Sequence, residues 1–293
     1  MKTIFTGTGV AMITPFSVDG IIDYVALRKH INFLINGGVD YIVVMGTTAE
    51  SACLSQTEKT QILEFSKKEI AGRVPIMYGL GGNYTADVLE KIKTTDFSGV
   101  DGILTVAPYY NKPNQEGLYQ HFAAIAKASP VPVILYNVPS RSGVSILPET
   151  TLRLAREFKN IVAVKEASGS MEAIMQIVKN KPADFTVISG DDGLTVPLIS
   201  VGVEGVISVA ANAFPKEWSD MVNFAMNGDF VSAAKIHYKL LDSVGLMFAE
   251  GSPTGVKYFL SEFGIIENYL RLPMIAASEN LKGKIKAEIA KIS

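Results

Sequence analysis

The chain has 293 residues, of which 48% are hydrophobic, and its 27 Lys and Arg are balanced by 29 Asp and Glu. This length and apolar content can bury a large core, and they fit one barrel domain with an appendage. The balanced charge, which has no long run of either sign, argues against binding to nucleic acid or to an anionic membrane.

Short runs rich in β-branched residues recur along the chain and predict eight strands. In chain order they are 10–14, 41–45, 75–80, 102–107, 133–137, 161–166, 186–189 and 205–209. Most of these runs are continuously apolar, which is typical of parallel strands that are covered on both faces.

Helical patterns separate the predicted strands. Ser55 and Glu58 have the spacing of a capping box. Pro148 suits an early helical position. Consecutive strands start roughly 20 to 35 residues apart, which is the length of a β-loop-α-loop unit. The pattern therefore predicts an α/β fold, a (β/α)8 TIM barrel.

After Asn212 the strand signal stops, and helical patterns follow at 218–226, 230–248, 255–263 and 278–292. No linker rich in Pro or Ser precedes them, so we expect this region to pack on the barrel. We predict a catalytic barrel over residues 1–224 and a C-terminal helical region over residues 225–293.

The single cysteine, Cys53, excludes an intrachain disulfide and is typical of a reducing compartment. The longest uncharged stretch, 3–18, is too short to span a bilayer and is interrupted by glycines and Pro15. It also lacks the basic flank and the cleavage site of a signal peptide. We therefore expect a cytoplasmic protein.

Reactive side chains of a TIM barrel lie at the C-terminal ends of its strands. Lys165 follows an apolar run near the end of the sixth predicted strand, so its amine would lie at the edge of the barrel interior. Desolvation favours a neutral amine, which can attack a ketone to give an imine. The structural alternative is a strand-end lysine that reaches solvent or pairs with Glu166.

Other polar side chains follow the second, fourth and fifth predicted strands. Thr47 and Thr48 offer hydroxyl and backbone N–H groups to a carboxylate, although threonines at such a place more often form a turn or cap. Arg141 could bind a second carboxylate through two hydrogen bonds, or be a solvated surface arginine. Three tyrosines could relay protons or simply pack: Tyr109, Tyr110 and Tyr136.

The sequence indicates neither a metal site nor a nucleotide fingerprint. The isolated histidines His30, His121 and His237 lack metal-ligand spacing, and Asp191 with Asp192 favours a helix N-cap over a metal. Glycines 79, 81 and 82 do not match a dinucleotide or phosphate-binding loop. Cys53 is interpreted as a small buried residue.

Four motifs together resemble those of the pyruvate-dependent class I aldolase family that includes dihydrodipicolinate synthase and N-acetylneuraminate lyase. They are 46–51 (GTTAES), 136–143 (YNVPSRSG), 164–168 (VKEAS) and 189–192 (SGDD), in the family's order. The resemblance extends over nearly the whole chain, and the combination is far more specific than any single motif.

This resemblance implies a reaction and a set of roles. Lys165 would form a Schiff base with pyruvate, and Tyr136 would relay protons in a triad with Thr47 and with Tyr110 of a neighbouring subunit. The pyruvate pocket would be formed by Thr47, Thr48 and the backbone at Gly190 and Ile207. No metal or dissociable cofactor is implied, because the imine itself is the electron sink.

Arg141 distinguishes the branches of the family. In the synthase branch, an arginine at this place in the motif recognises the carboxylate of L-aspartate 4-semialdehyde, so the expected reaction condenses pyruvate with that aldehyde towards diaminopimelate and lysine. The resemblance also implies a homotetramer built from tight dimers. The alternatives are a related aldolase for a 2-keto-3-deoxy sugar acid or N-acetylneuraminate, and a metabolite-binding barrel without turnover.

Many synthases of this family bind lysine as a feedback inhibitor in a cleft at the dimer interface. The matching positions here are Ser51, Ala52, Leu54, Gln56, Lys59, Asn83, Asp87 and Tyr109. Lysine-sensitive members have histidine at the positions of Gln56 and Lys59, and Glu at that of Asp87. Because Lys59 would repel the terminal ammonium of the inhibitor, we expect weak inhibition or none.

Overall fold

The computed structural model describes residues 3–292 and contains a closed barrel of eight parallel strands. The strands are β1 (Gly7–Ala11), β2 (Tyr41–Val44), β3 (Ile76–Gly79), β4 (Gly102–Val106), β5 (Val133–Asn137), β6 (Ile161–Glu166), β7 (Thr186–Ser189) and β8 (Gly205–Ser208). Each strand pairs with its neighbour in sequence, and β1 closes the barrel against β8. The predicted TIM barrel is confirmed.

Helices follow the strands as the repeated unit requires. Up to β8 they are α1 (Tyr24–Asn36), α2 (Gln56–Ile70), α3 (Thr85–Thr94), α4 (Gln115–Ala128), α5 (Pro139–Ser142), α6 (Pro148–Glu157), α7 (Met171–Asn180) and α8 (Thr195–Ser200). Ser55 and Glu58 form the predicted capping box of α2 through reciprocal hydrogen bonds, and Pro148 is the first residue of α6. Both helices therefore begin where these local sequence signals predict.

The first strand is the one whose predicted position is wrong. It was predicted at 10–14, but β1 begins at Gly7, and Gly9 is paired with Tyr41 of β2. A Cβ on Gly9 would lie 2.2 Å from the Tyr41 ring, so glycine makes room for a large side chain inside the barrel. Glycines weaken a strand pattern, which explains the error.

Apolar side chains form two layers, one inside the barrel and one between the strands and the helices. The interior layer contains Phe5, Ala11, Tyr41, Val43, Met77, Leu104, Ile134, Tyr136, Val138, Ala163, Ile188 and Ile207. It fills the barrel below the C-terminal ends of the strands, so the interior has no space for a ligand, and the functional site of this fold is expected at the mouth.

Four helices follow β8: α9 (Pro215–Met226), α10 (Phe230–Phe248), α11 (Thr254–Glu262) and α12 (Glu279–Ile292). The bounds of α10 agree with the prediction, and α9 begins three residues before the predicted 218. The division at residues 224 and 225 stays a proposal, and it would fall within the last turn of α9. Within the described residues, no helix combines the length and the apolarity needed to cross a membrane.

Candidate active site

Lys165 and Tyr136 lie side by side at the mouth of the barrel. They are directly paired between β6 and β5, and the Lys165 Nζ atom is 4.5 Å from the centroid of the Tyr136 ring. Lys165 is only 5% exposed and Tyr136 only 7%. An amine in this place is largely removed from water, as an imine-forming lysine requires.

The neighbouring carboxylate of Glu166 has other partners. It accepts hydrogen bonds from Asn137 Nδ2 at 2.9 Å and from Ser168 Oγ at 2.8 Å, and it is 1% exposed. Burial raises the pKa of Glu166, although these hydrogen bonds oppose the shift. Successive residues of a strand face opposite sides, so the Glu166 side chain points away from Lys165. Pairing with Glu166, the structural alternative for Lys165, is therefore wrong.

Gly190 gives the Lys165 side chain its space. A Cβ at Gly190 would lie 2.8 Å from Lys165 Cε and 2.8 Å from the Cβ of Ala167. The Gly190 N–H also donates to the carbonyl of Glu166 at 2.6 Å, which fixes the backbone beside β6. A side chain at position 190 would therefore displace the lysine.

Thr47 and Thr48 lie in a short 3₁₀ turn, Thr47–Ala49, that follows β2. Thr48 is buried and Thr47 is exposed. Two non-glycine residues with positive φ, Met45 at 63° and Glu50 at 53°, stand on either side of this turn. Such conformations are costly and persist only where their surroundings enforce them.

Most of the predicted site residues line one cavity of about 320 Å³. Its lining contains six of the predicted residues: Thr47, Thr48, Tyr136, Arg141, Lys165 and Gly190. Arg141 lies on α5, a single turn that ends at Gly143 with φ 73°. The cavity is also lined by residues that no sequence signal indicated, namely Val244, Gly245 and Phe248 of α10 and Ser252 after it.

Two predicted site residues lie outside this cavity. Ile207 is 1% exposed and belongs to the interior layer, where it is paired with Gly9 across β8 and β1. Tyr110 is 90% exposed, has φ 74° and does not line the cavity. A single chain therefore does not bring Tyr110 to Lys165.

The two consecutive aspartates have different tasks. Asp191 accepts from the Leu194 N–H and is the predicted N-cap of a 3₁₀ turn. Asp192 accepts instead from the N–H groups of Val209 and Ala210, each at 3.0 Å, and both aspartates line the cavity. Burial raises the pKa of Asp192, and the nearby charge of Lys165 opposes that shift. The sequence pattern missed Asp192 as a cavity residue.

The other candidates raised by the sequence remain apart from the site. Among residues 3–292, no group of three or more His, Cys, Asp and Glu side chains could hold a metal ion. His30 is fully buried and contacts Asn212 Oδ1 through Nε2 at 2.9 Å, and burial lowers its pKa to about 4. Cys53 is half-buried and not buried as predicted, because it lies in a surface 3₁₀ turn.

A second cavity of about 490 Å³ adjoins the first and shares Gly46, Thr47, Tyr136 and Arg141 with it. Five of the predicted cleft residues line it: Ser51, Ala52, Gln56, Lys59 and Tyr109. Lys91 lines it as well. No sequence pattern indicates this residue, because its position depends on how α3 lies relative to Lys59 of α2.

Three predicted cleft residues do not line this cavity. Leu54 is 6% exposed and packs in the core, and the Asn83 carbonyl accepts from Asn111 Nδ2 at 2.8 Å. Asp87 forms an ion pair of 2.5 Å with Lys91. Lys59 is half-buried, and its pKa is lowered first by desolvation and then by the charge of Lys91. The cavity is thus lined by three cationic side chains, Lys59, Lys91 and Arg141.

Comparison with known proteins gives consistent matches. The model of the dihydrodipicolinate synthetase family matches residues 4–292. A Parabacteroides distasonis protein named 4-hydroxy-tetrahydrodipicolinate synthase is 51% identical over 287 residues, which are 98% of this chain and 97% of the relative. The crystal structure of dihydrodipicolinate synthase from Aquifex aeolicus is 42% identical, with a TM-score of 0.95 and 98% of both chains covered.

A further solved structure bears on assembly. It is described as the first monomeric dihydrodipicolinate synthase variant, with 36% identity, a TM-score of 0.96, and 99% of this chain and 97% of that chain covered.

Proposed function

The chain belongs to the dihydrodipicolinate synthetase family, and from that premise we propose that it is a lyase of the 4-hydroxy-tetrahydrodipicolinate synthase type. It condenses pyruvate with L-aspartate 4-semialdehyde in diaminopimelate and lysine biosynthesis. This proposal rests mainly on one observation, the buried Lys165 amine that lies against the Tyr136 ring. The cavity around them is also lined by Thr47, Thr48 and Arg141.

The reaction follows from an amine in this environment. The Lys165 amine adds to the ketone carbon of pyruvate, and loss of water leaves an imine. Removal of a methyl proton gives an enamine, whose carbon attacks the aldehyde carbon of the second substrate while the aldehyde oxygen takes up a proton. The amino group of that substrate then attacks the imine carbon, which closes a six-membered ring and releases Lys165.

The remaining residues hold and protonate these species. Tyr136 lies beside Lys165 and relays protons, in a triad completed by Thr47 and by Tyr110 of a second subunit. The pyruvate carboxylate is bound by the hydroxyl and N–H groups of Thr47 and Thr48, with the backbone at Gly190 completing the pocket. We do not assign Ile207 to this pocket, because this residue belongs to the interior layer and does not line the cavity. Arg141, at the rim shared by both cavities, binds the carboxylate of the second substrate.

An acceptor screen tests the substrate assignment. With pyruvate present, L-aspartate 4-semialdehyde should be consumed at a higher kcat/KM than any sugar aldehyde. Cleavage of a 2-keto-3-deoxy sugar acid or of N-acetylneuraminate at the higher kcat/KM would instead identify the related aldolase. Consumption of no acceptor would identify a binding protein without turnover.

We place the enzyme in the cytoplasm, which its single cysteine favours.

Arg141→Ala should raise the KM for L-aspartate 4-semialdehyde much more than the KM for pyruvate. A charge-assisted contact is worth about 1.5 to 3 kcal/mol, so the expected rise is roughly 10- to 150-fold. Steady-state kinetics with each substrate varied in turn measure the two constants. Lys112→Ala, which removes another cation near Gly143, is the matched control. Equal effects of Arg141→Ala on both constants would assign Arg141 a structural role.

We also propose a homotetramer built from tight dimers, because a Tyr110 that is 90% exposed on its own chain can complete a neighbour's site. Inactive Lys165→Ala subunits mixed with inactive Tyr110→Phe subunits should then recover activity once the dimers exchange. Activity after refolding the mixture, compared with each variant refolded alone, is the measurement. A fully active monomer in sedimentation would contradict this arrangement.

Lysine should inhibit weakly or not at all. The half-buried Lys59 ammonium lines the second cavity, so the ammonium of a bound lysine meets a like charge there, whereas Lys91 is paired with Asp87. At about 4 Å and an intermediate dielectric, one such contact costs up to roughly 4 kcal/mol. Activity measured with millimolar lysine checks this expectation, and Lys59→His should increase the inhibition. Strong inhibition of the parent enzyme would show that the electrostatic argument is wrong.

A further inference from the structure

The turn that carries Thr47 and Thr48 is held by a side chain that immediately follows it. Glu50 has a left-handed backbone conformation, with φ 53° and ψ 35°, and it links the Thr47–Ala49 turn to the Ser51–Cys53 turn. Glu50 is only 4% exposed. A buried carboxylate on a strained backbone requires strong partners to stay in place.

The first partner is Lys257 of α11. Its Nζ atom lies 2.5 Å from Glu50 Oε1, and the side chains of Lys257 and Glu50 are 0% and 1% exposed. Lys257 also donates to the Tyr269 carbonyl at 2.9 Å and lies 4.3 Å from the centroid of the Phe16 ring. The pair is therefore sealed from water and held from several sides.

The second partner is Arg271, in the segment between α11 and α12. Its backbone N–H donates to Glu50 Oε2 at 3.0 Å. Its guanidinium donates to the carbonyls of Gly20 and Cys53 and to both carboxylate oxygens of Glu58. We call the Thr47–Ala49 turn the threonine turn. Arg271 thus holds residues on the C-terminal side of this turn in place through hydrogen bonds.

The same C-terminal region forms part of the cavity wall, through Phe248 and Ser252. On the barrel side, the Thr14 hydroxyl donates to the Ala49 carbonyl at 2.8 Å. The threonine turn is therefore held by the segment after β1 on one side and by the C-terminal region on the other.

We propose that Glu50, Lys257 and Arg271 are positioning residues that hold the threonine turn in the conformation that binds the pyruvate carboxylate. This proposal rests on the proposed function. It assigns the C-terminal region an indirect part in pyruvate recognition, because the Glu50–Lys257 ion pair and the Arg271 N–H act through the threonine turn.

The test is the double variant Glu50→Gln with Lys257→Met, which removes both charges and leaves no unpaired buried ion. Glutamine keeps an oxygen for the Arg271 N–H. We expect the KM for pyruvate to rise roughly 10- to 100-fold, as when a charge-assisted contact is misplaced. The KM for L-aspartate 4-semialdehyde should change less than about threefold, because Arg141 lies on another element. The kcat should fall as well, because Thr47 on the displaced turn belongs to the proposed proton-relay triad.

The matched control removes another ion pair, Lys181 with Glu204, whose closest atoms are 2.9 Å apart near the opposite end of the barrel. Lys181→Met with Glu204→Gln should leave the KM for pyruvate at the parental value. The pyruvate concentration that gives half-maximal borohydride trapping provides a second readout. If the parent enzyme does not trap pyruvate, the proposed function fails. If the parent traps it and the Glu50/Lys257 double variant traps it at the same concentration, the positioning role is refuted and the function stands.

Discussion

Replacing Lys165 with alanine should abolish covalent capture of pyruvate and reduce turnover on the order of 10⁴- to 10⁶-fold, the scale of losing a nucleophile. Borohydride added with pyruvate should label the parent protein once per subunit, and peptide mass analysis should place the label on Lys165. The reason is that Lys165 is desolvated and still lines a cavity open to substrate.

A second buried amine makes this experiment stringent. Burial lowers the pKa of Lys257 to about 8 even though Glu50 opposes the shift. Lys257 nevertheless has no exposed surface and is paired with a carboxylate, so pyruvate cannot reach it. Lys179→Ala, which removes an exposed lysine of α7, should still be labelled once. A label on Lys257, or one that persists in Lys165→Ala, would contradict the assignment.

Lys257→Met alone should lower the free energy of unfolding by about 3 to 5 kcal/mol, because it leaves the Glu50 carboxylate buried without its counter-ion. This loss is a large part of the roughly 5 to 15 kcal/mol that stabilises a typical domain. Denaturant unfolding at constant protein concentration is the measurement.

Two comparisons give this stability prediction its controls. Adding Glu50→Gln to Lys257→Met should recover most of the loss, since no unpaired ion then remains. Lys216→Met breaks the exposed pair with Asp220, whose atoms are 2.8 Å apart, and should cost less than about 1 kcal/mol. If Lys257→Met and Lys216→Met lower the free energy of unfolding by similar amounts, burial of the Glu50–Lys257 pair does not increase the cost of breaking it.

The fold could be predicted because every repeat carries its own local signal. Continuous apolar runs identify strands that are buried on both faces, and the Ser55–Glu58 box identifies the start of α2. β1 is the exception. Gly7 and Gly9 are required because a Cβ at these positions would clash with Asp40 and Tyr41 at the neighbouring strand, and not because glycine favours a strand. The clash of a Cβ at Gly9 with Tyr41 cannot be read from either local segment.

The site divides in the same way. The topology alone predicts that the residues at or just after the C-terminal ends of strands meet at one mouth. These residues are Lys165, Tyr136, Thr47, Thr48 and Arg141. Asp192, which the sequence pattern did not indicate as a cavity residue, also follows a strand, whereas the other residues without a sequence signal come from elsewhere. Phe248 reaches the cavity from α10, and Lys257 looks like any helical lysine until its contact with Glu50 is seen. Their roles depend on contacts between distant parts of the chain, which periodicity and motif spacing do not encode.

The distance along the chain between Glu50 and Arg271 has a consequence for synthesis. Their hydrogen bond joins positions that are 221 residues apart. During translation, all eight strands emerge before Lys257 and Arg271 have been made, so a nascent chain can close its barrel while the threonine turn still lacks its fastening. A chain that ends before residue 257 therefore contains every strand of the barrel but neither of the two residues that hold the Glu50 carboxylate.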